Sequence, residues 1–114
     1  MSTGFPPEVR DIVKNRAMES CEICGQERIE EIHHRRPRGM GGSRDGETNL
    51  ASNALGLGRD CHRMVESHRY VAQLMGWLVS QRDRPSSVAV IYRGLRSYLR
   101  DDGEVVPAPS WEDD

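Results

Sequence analysis

The chain has one lysine, one phenylalanine and no long hydrophobic run. No segment approaches the roughly 20 apolar residues of a membrane span, and no signal-peptide pattern opens the sequence, so neither a membrane partner nor secretion is expected. Cysteine is scarce and odd in number, at positions 21, 24 and 61. Without an export signal, an odd count argues against a disulfide framework and for metal binding, with a reducing cytoplasm as the expected compartment. Hydrophobic residues make up 36% of the 114 and charged residues 30%. One domain of this size buries a modest core, and such domains often depend on a metal or a partner.

The near-absence of lysine leaves arginine as fifteen of the sixteen basic residues. Arginine is favoured where phosphate is gripped bidentately, although a GC-rich genome would produce the same bias. The net charge of −2 conceals an asymmetry. Between His33 and Arg69 seven arginines face four acids, whereas from Asp101 to Asp114 there are six acids and no base. The middle is basic and the tail acidic.

Pro6-Pro7 followed by Val9, Ile12, Val13 and Met18 predicts an N-terminal helix within residues 1–20. Cys21-Glu22-Ile23-Cys24-Gly25 predicts a tight turn. Arg28 to His34 reads as a strand with Ile29 and Ile32 as apolar members, ended by Pro37 and a Gly-rich loop from Arg38 to Gly46. Thr48 to Leu55 reads as a short helical or irregular link. One helix is expected from Asp60 or Cys61 to Met75, its stripe formed by Met64, Val65, His68, Val71, Ala72 and Met75 and its stop by Gly76. Trp77–Val79, Val88–Tyr92 and Tyr98–Leu99 read as strands of a C-terminal extension, residues 77–105, with turns at Arg84-Pro85 and Asp102-Gly103. Residues 106–114 are expected to be a disordered acidic tail.

The chemistry-bearing residues are Cys21-x-x-Cys24, His33-His34, Asn53 and Cys61-His62. Each element is weak alone, but the family that the set resembles hydrolyses phosphodiesters, which needs a base for water and a cation for the charge developing on phosphate and on the leaving oxygen. Two adjacent histidines on a strand point to opposite sides and can divide these tasks. An imidazole with an ordinary pKa near 6.5 suits a base at neutral pH.

In this order and spacing the set resembles the HNH endonuclease family, whose fold is a ββα-metal unit. The resemblance covers roughly Cys21 to Arg69, within an expected nuclease core of residues 21–76, and the stretch "IHHRRPRGMGGSRDGETNLASNALGL…CHRMVESHR" looks especially like small HNH proteins of tailed bacteriophages. It implies an α+β fold: a small ββα-metal domain with an N-terminal helix, a zinc-knuckle-like turn and a short C-terminal β-rich extension. It also implies roles. His34 corresponds to the general base, His33 and His62 to ligands of a catalytic divalent ion (Mg²⁺, Mn²⁺ or Ni²⁺), and Asn53 to the residue holding the loop that orients the base. Asn49 is a rival for that last role. Glu66, one helical turn after His62, is either a further ligand or the partner of Arg63 or Arg69.

The resemblance also brings a departure. Family members often bind a structural zinc with two Cys-x-x-Cys pairs, and the second pair would fall at positions 58 and 61. Position 58 is Gly58. A structural zinc almost always has four protein ligands, which leaves Cys21, Cys24 and Cys61 one short. Asp60, His68 or a water could complete the set, or zinc could be absent; the spacing makes His68 a better core residue than ligand. Arg35, Arg36, Arg38 and Arg44 flank the histidines and the glycines and are expected to contact phosphates of double-stranded DNA with low sequence specificity. The implied activity is metal-dependent nicking or cleavage of DNA, in the host cytoplasm and beside a phage terminase if the phage likeness extends so far. The alternative is a catalytically inactive DNA-binding or zinc interaction module of the same fold.

Overall fold

The computed structural model describes residues 4–37 and 46–109. These form an α+β arrangement of three α-helices and two antiparallel sheets. No helix among them is long and apolar enough to cross a membrane. Arg38, Arg44 and the rest of the Gly-rich loop up to residue 45 lie outside the described residues, as do residues 110–114 of the acidic tail.

Helix α1 spans Pro7–Ala17, with a proline in its first turn and Lys14 and Arg16 in its last, where the helix dipole favours cations. Val9, Val13 and Ala17, four residues apart, form its buried face. Val9 and Val13 pack with Phe5, Ile32, Ala51 and Ala54. Strand β1 (Glu31–His34) pairs antiparallel with β2 (Ala54–Leu57) in a register that sets His33 opposite Leu55 and His34 opposite Ala54. The expected strand from Arg28 is shorter, its early part reduced to a single bridge between Ser20 and Arg28. Two short 3-10 turns, Gly46–Asn49 and Ala51–Asn53, precede β2. The irregular link expected over Thr48–Leu55 therefore ends in a strand. Every residue of β2 is buried, so it shows no alternation for a sequence reading to detect.

Helix α2 spans Arg59–Ser67 and α3 spans Arg69–Leu74, broken at His68 (φ −124°, ψ 62°) where one continuous helix was expected. The break turns His68 to solvent, which overturns its reading as a core residue, and Val71 is exposed as well. Val65 and Ala72 carry the buried contact. Gly76 ends this segment at φ +77°, and a β-carbon there would lie 2.0 Å from the Ala89 carbonyl oxygen, so both conformation and space demand glycine.

Trp77–Val79 is buried but is not a strand. The second sheet is β3 (Val90–Tyr92), β4 (Leu95–Leu99) and β5 (Val105–Pro107) in sequential order. Val106 and Pro107 pair with Tyr98 and Ser97, so the tail expected from residue 106 begins as an ordered strand. The hairpin between β3 and β4 turns at Arg93 (φ 48°) and Gly94 (φ 88°), both left-handed as a two-residue hairpin turn requires. This extension is not separate from the region before it. Cys21, Leu55, Leu57, Val65, Trp77, Leu78, Val90, Tyr92 and Leu99 belong to one apolar cluster.

A buried ion pair joins the parts. Glu22, inside the Cys-x-x-Cys turn, meets Arg16 at 2.7 and 2.8 Å, with side-chain exposures of 0% and 2%. Glu22 also accepts from the Gly56 amide at 2.9 Å and from the Tyr92 hydroxyl at 2.6 Å, while Arg16 donates to the Ala51 and Ala54 carbonyls. Losing one member of such a pair strands a charge in the interior. Glu22→Ala should therefore lower unfolding stability by about 3–5 kcal/mol, and Tyr92→Phe by about 1.5–3 kcal/mol, both read from urea melts. A Glu22→Ala loss no larger than that of a surface carboxylate would show that the network does not hold the fold.

Candidate functional site

Strand β1 delivers its side chains to two sides. Glu31 and His33 face one way, and Ile32 and His34 the other, as a period of two demands. On the first side, α2 sets His62 opposite His33, with ring centroids 5.6 Å apart. Glu66 follows one helical turn later, its carboxylate 3.8 Å from His62 Nε2. One ligand atom each from His33, His62 and Glu66 lie within 4.8 Å of one another, a group that could hold a metal ion. Glu66 also meets Arg69 at 3.2 Å, the ion pair foreseen for it.

The ring orientations suit metal binding. His33 Nε2 donates to the Trp77 carbonyl oxygen at 3.0 Å, which leaves the lone pair on Nδ1. Burial drives the His33 pKa down to about 4; the Trp77 carbonyl opposes this, and the neighbouring His62 adds to it. The ring is thus neutral at pH 7, as a ligand must be. His62 Nδ1 lies 3.2 Å from the Glu31 carboxylate, which directs Nε2 toward Glu66. A carboxylate or carbonyl behind a histidine is the usual support of a metal ligand.

At the end of the same strand, His34 stacks on Phe5 with ring centroids 3.9 Å apart and an interplanar angle of 16°. Its Nε2 donates to Asn49 Oδ1 at 3.0 Å, a tautomer that carries the lone pair on Nδ1. Asn53 does not make this contact. Its buried amide accepts from the Arg36 amide at 2.7 Å and donates to the Arg36 and Thr48 carbonyls at 3.1 and 2.8 Å. It fastens the chain leaving β1 to the turn that carries Asn49. Asn49 is thus the residue in contact with His34, and Asn53 ties down the turn that carries it.

The three cysteines form a second group. Their sulfurs and one carboxylate oxygen of Glu27 lie within 4.8 Å of one another, a further set that could hold a metal ion. Burial and the adjacent Cys21 and Cys24 thiols push the Cys61 thiol well above its ordinary range. Desolvation acts to raise Cys24 too, but hydrogen bonds from the Glu27 and Gln26 backbone outweigh it and bring this thiol down. Asp60 and His68 are not members of the group.

The arginines expected on phosphate divide. Arg35 is fully buried and donates to the carbonyls of Gly76, Ser52, Pro85 and Val88 at 2.8–3.1 Å. Burial and the nearby Arg16 charge lower its pKa to about 9, which keeps it charged at neutral pH. Arg36 is 5% exposed and donates to the Asp83 carbonyl. Both are turned inward, which corrects their assignment as DNA contacts: the carbonyl ends of converging loops attract them more firmly than solvent does. Arg59 and Arg63 on α2, the helix that carries His62 and Glu66, and Arg69 at the start of α3 are exposed.

Sequence reasoning missed Glu27, Glu31 and Glu22. Glu31 had a signal, since it sits two residues before His33 and so shares its strand face. Comparison of the chain with protein-family models, with curated proteins and with solved structures gave no match.

Two outcomes test this geometry. Glu31→Ala should weaken Mn²⁺ binding about 10–100-fold in a calorimetric titration, and unchanged affinity would remove Glu31 from the site. The low His33 pKa also has a sign. Between pH 6.5 and about 4 the unfolded chain binds the extra proton and the folded chain does not, so stability falls as pH falls through this window. The loss reaches about 3 kcal/mol at its lower end. An NMR titration without added divalent metal should show the His33 ring unchanged from pH 8 to 5, while a midpoint near 6.5 would contradict it.

Proposed function

We propose that the protein is a metal-dependent endonuclease of the HNH type that hydrolyses phosphodiester bonds of double-stranded DNA with little sequence specificity. The observation that carries this reading is the pair of adjacent histidines at the end of β1, turned to opposite sides and given different partners. His33 joins His62 and Glu66 in a group suited to one ion, and His34 stands beside it with its tautomer fixed by Asn49. The succession β1, β2, α2 around that group supports the ββα-metal likeness.

The donor set of two imidazoles and one carboxylate fits Mn²⁺, Ni²⁺ or Mg²⁺, the last with water in its remaining positions. When bound, the ion supplies positive charge for the phosphate and the departing 3′ oxygen. The chain's own residues do the rest. His34 Nδ1 takes the proton of the attacking water, and the Asn49 carbonyl oxygen stabilises the imidazolium that results. Phe5 and Asn49 together hold the ring so that little orientation is lost on the way to the transition state. Exposed Arg59, Arg63 and Arg69 supply phosphate contacts beside the reacting group. The second metal in this reading is a structural zinc at the cysteines.

Supercoiled plasmid incubated with the protein and Mn²⁺, Mg²⁺ or Ni²⁺ should be nicked or cut. His34→Ala should lower the rate about 10²–10⁴-fold while leaving Mn²⁺ affinity near that of the wild type. A wild-type protein inert with all three ions, yet still binding DNA, would establish instead the inactive DNA-binding module.

A further inference from the structure

We infer that Glu27 is the fourth protein ligand of a zinc ion held by Cys21, Cys24 and Cys61, and that Gly58 is what makes room for it. The inference rests on the structural-zinc reading of the cysteines and concerns a residue that the spacing of cysteines does not indicate. A three-cysteine set is one ligand short of a closed structural zinc, and Glu27 offers the missing donor.

The geometry is specific. Gly58 stands just before α2, where a side chain would point at Glu27. A β-carbon built there would lie 2.4 Å from Glu27 Cβ and 2.5 Å from its Oε1. Any residue larger than glycine at position 58 therefore collides with the Glu27 side chain along most of its length. The space that a cysteine at 58 would use is filled by a carboxylate from residue 27. That carboxylate reaches the first turn of α2, accepting from the Asp60 and Cys61 amides at 3.3 and 3.4 Å. These contacts hold it beside Cys61, with all four donor atoms within 4.8 Å of one another. Zn–S bonds of about 2.3 Å place tetrahedral sulfurs about 3.8 Å apart, so closure onto an ion asks for a contraction of roughly an ångström. Three thiolates favour zinc over the harder divalent ions. The negative charge of three thiolates and a carboxylate is met by the ion and by the positive end of α2.

Glu27 thus ties the Cys-x-x-Cys turn to α2 twice, once through the ion and once through the helix amides. Glu27→Gln separates the two. The amide keeps the shape and an acceptor for the helix N–H groups but is a far poorer ligand than a carboxylate. Glu27→Cys converts the site to four thiolates.

The test is titration of the full-length protein with Co²⁺, whose thiolate charge-transfer absorption reports the cysteine site and is silent for the histidine site, followed by displacement with Zn²⁺ against a chelator. The wild type should show the band with intense tetrahedral visible absorption. Glu27→Gln should keep the fold by circular dichroism but change the visible spectrum and weaken Zn²⁺ binding about tenfold or more. Glu27→Cys should raise the charge-transfer intensity by about a third, and Gly58→Ala should weaken Zn²⁺ binding in the wild type but add little in Glu27→Gln. A band present in the wild type with the same spectrum and affinity in Glu27→Gln would make Glu27 a helix cap only and overturn the assignment. No charge-transfer band in the wild type would overturn the zinc reading itself and the Glu27 assignment with it.

Discussion

The contact on which most of the structure leans is the buried pair of Glu22 and Arg16. A pair removed from water is weakly favourable at best against an apolar replacement, because the cost of desolvation rivals the attraction. Its strength lies in geometry. Both oxygens of Glu22 are engaged, by the guanidinium of Arg16, the Gly56 amide and the Tyr92 hydroxyl. These donors come from α1, β2 and β3, and they can converge only when all three elements are in place. Glu22 itself lies between Cys21 and Cys24, so the same carboxylate that locks the core also sets the cysteine turn. Arg93 reinforces this from the other side, donating to the Ala17, Ser20 and Cys21 carbonyls. In a chain with little apolar material, buried charge and hydrogen bonding supply the uniqueness that a larger core would give.

Helix α2 carries this order to the histidine site. Cys61 and His62 are consecutive, and successive helical residues are rotated by about 100°. One therefore points to the cysteine turn and the other to β1. The start of α2 is held by Glu27, and its first two site residues inherit that position. Whatever fixes the cysteine group fixes the depth at which His62 meets His33. The pairing of β1 with β2 supplies the other half, because its register places His33 beside Leu55 in the core.

The part of this arrangement legible in the sequence is the part that depends on residue type and local period. The helix over Pro7–Ala17, the cysteine turn, the strand ending in two histidines and the start of a helix near Cys61 follow from residue type and spacing. Strand β2 did not, because Ala54–Leu57 is buried on every side and offers no alternation. The break at His68 did not either, since nothing local distinguishes that position from a continuing helix. Glu27 is invisible until Gly58 is seen beside it, which is a fact of tertiary contact. Arg35 and Arg36 were misplaced for a related reason. A run of arginines reads as a solvated cationic surface, yet here carbonyl groups from the 3-10 turns and the segment after α3 converge on the same point. Composition counts charges and cannot tell which of them face inward.

The adjacent histidines show how far environment alone can separate two identical side chains. A strand turns them apart by its own period, before any chemistry is considered. His33 goes into the wall formed by Trp77 and α2, loses water, and is held neutral with its lone pair available to an ion. His34 is only half-buried, lies flat on Phe5 and gives its proton-bearing nitrogen to a side-chain amide. A carbonyl behind a buried ring favours a permanent ligand. An amide oxygen beside a partly solvated ring fixes which of its nitrogens carries the proton. Reversing the pair would put the solvated ring toward the ligands and the buried one toward water. The proposed division of labour therefore depends less on the residues being histidine than on which of them β1 turns toward the core.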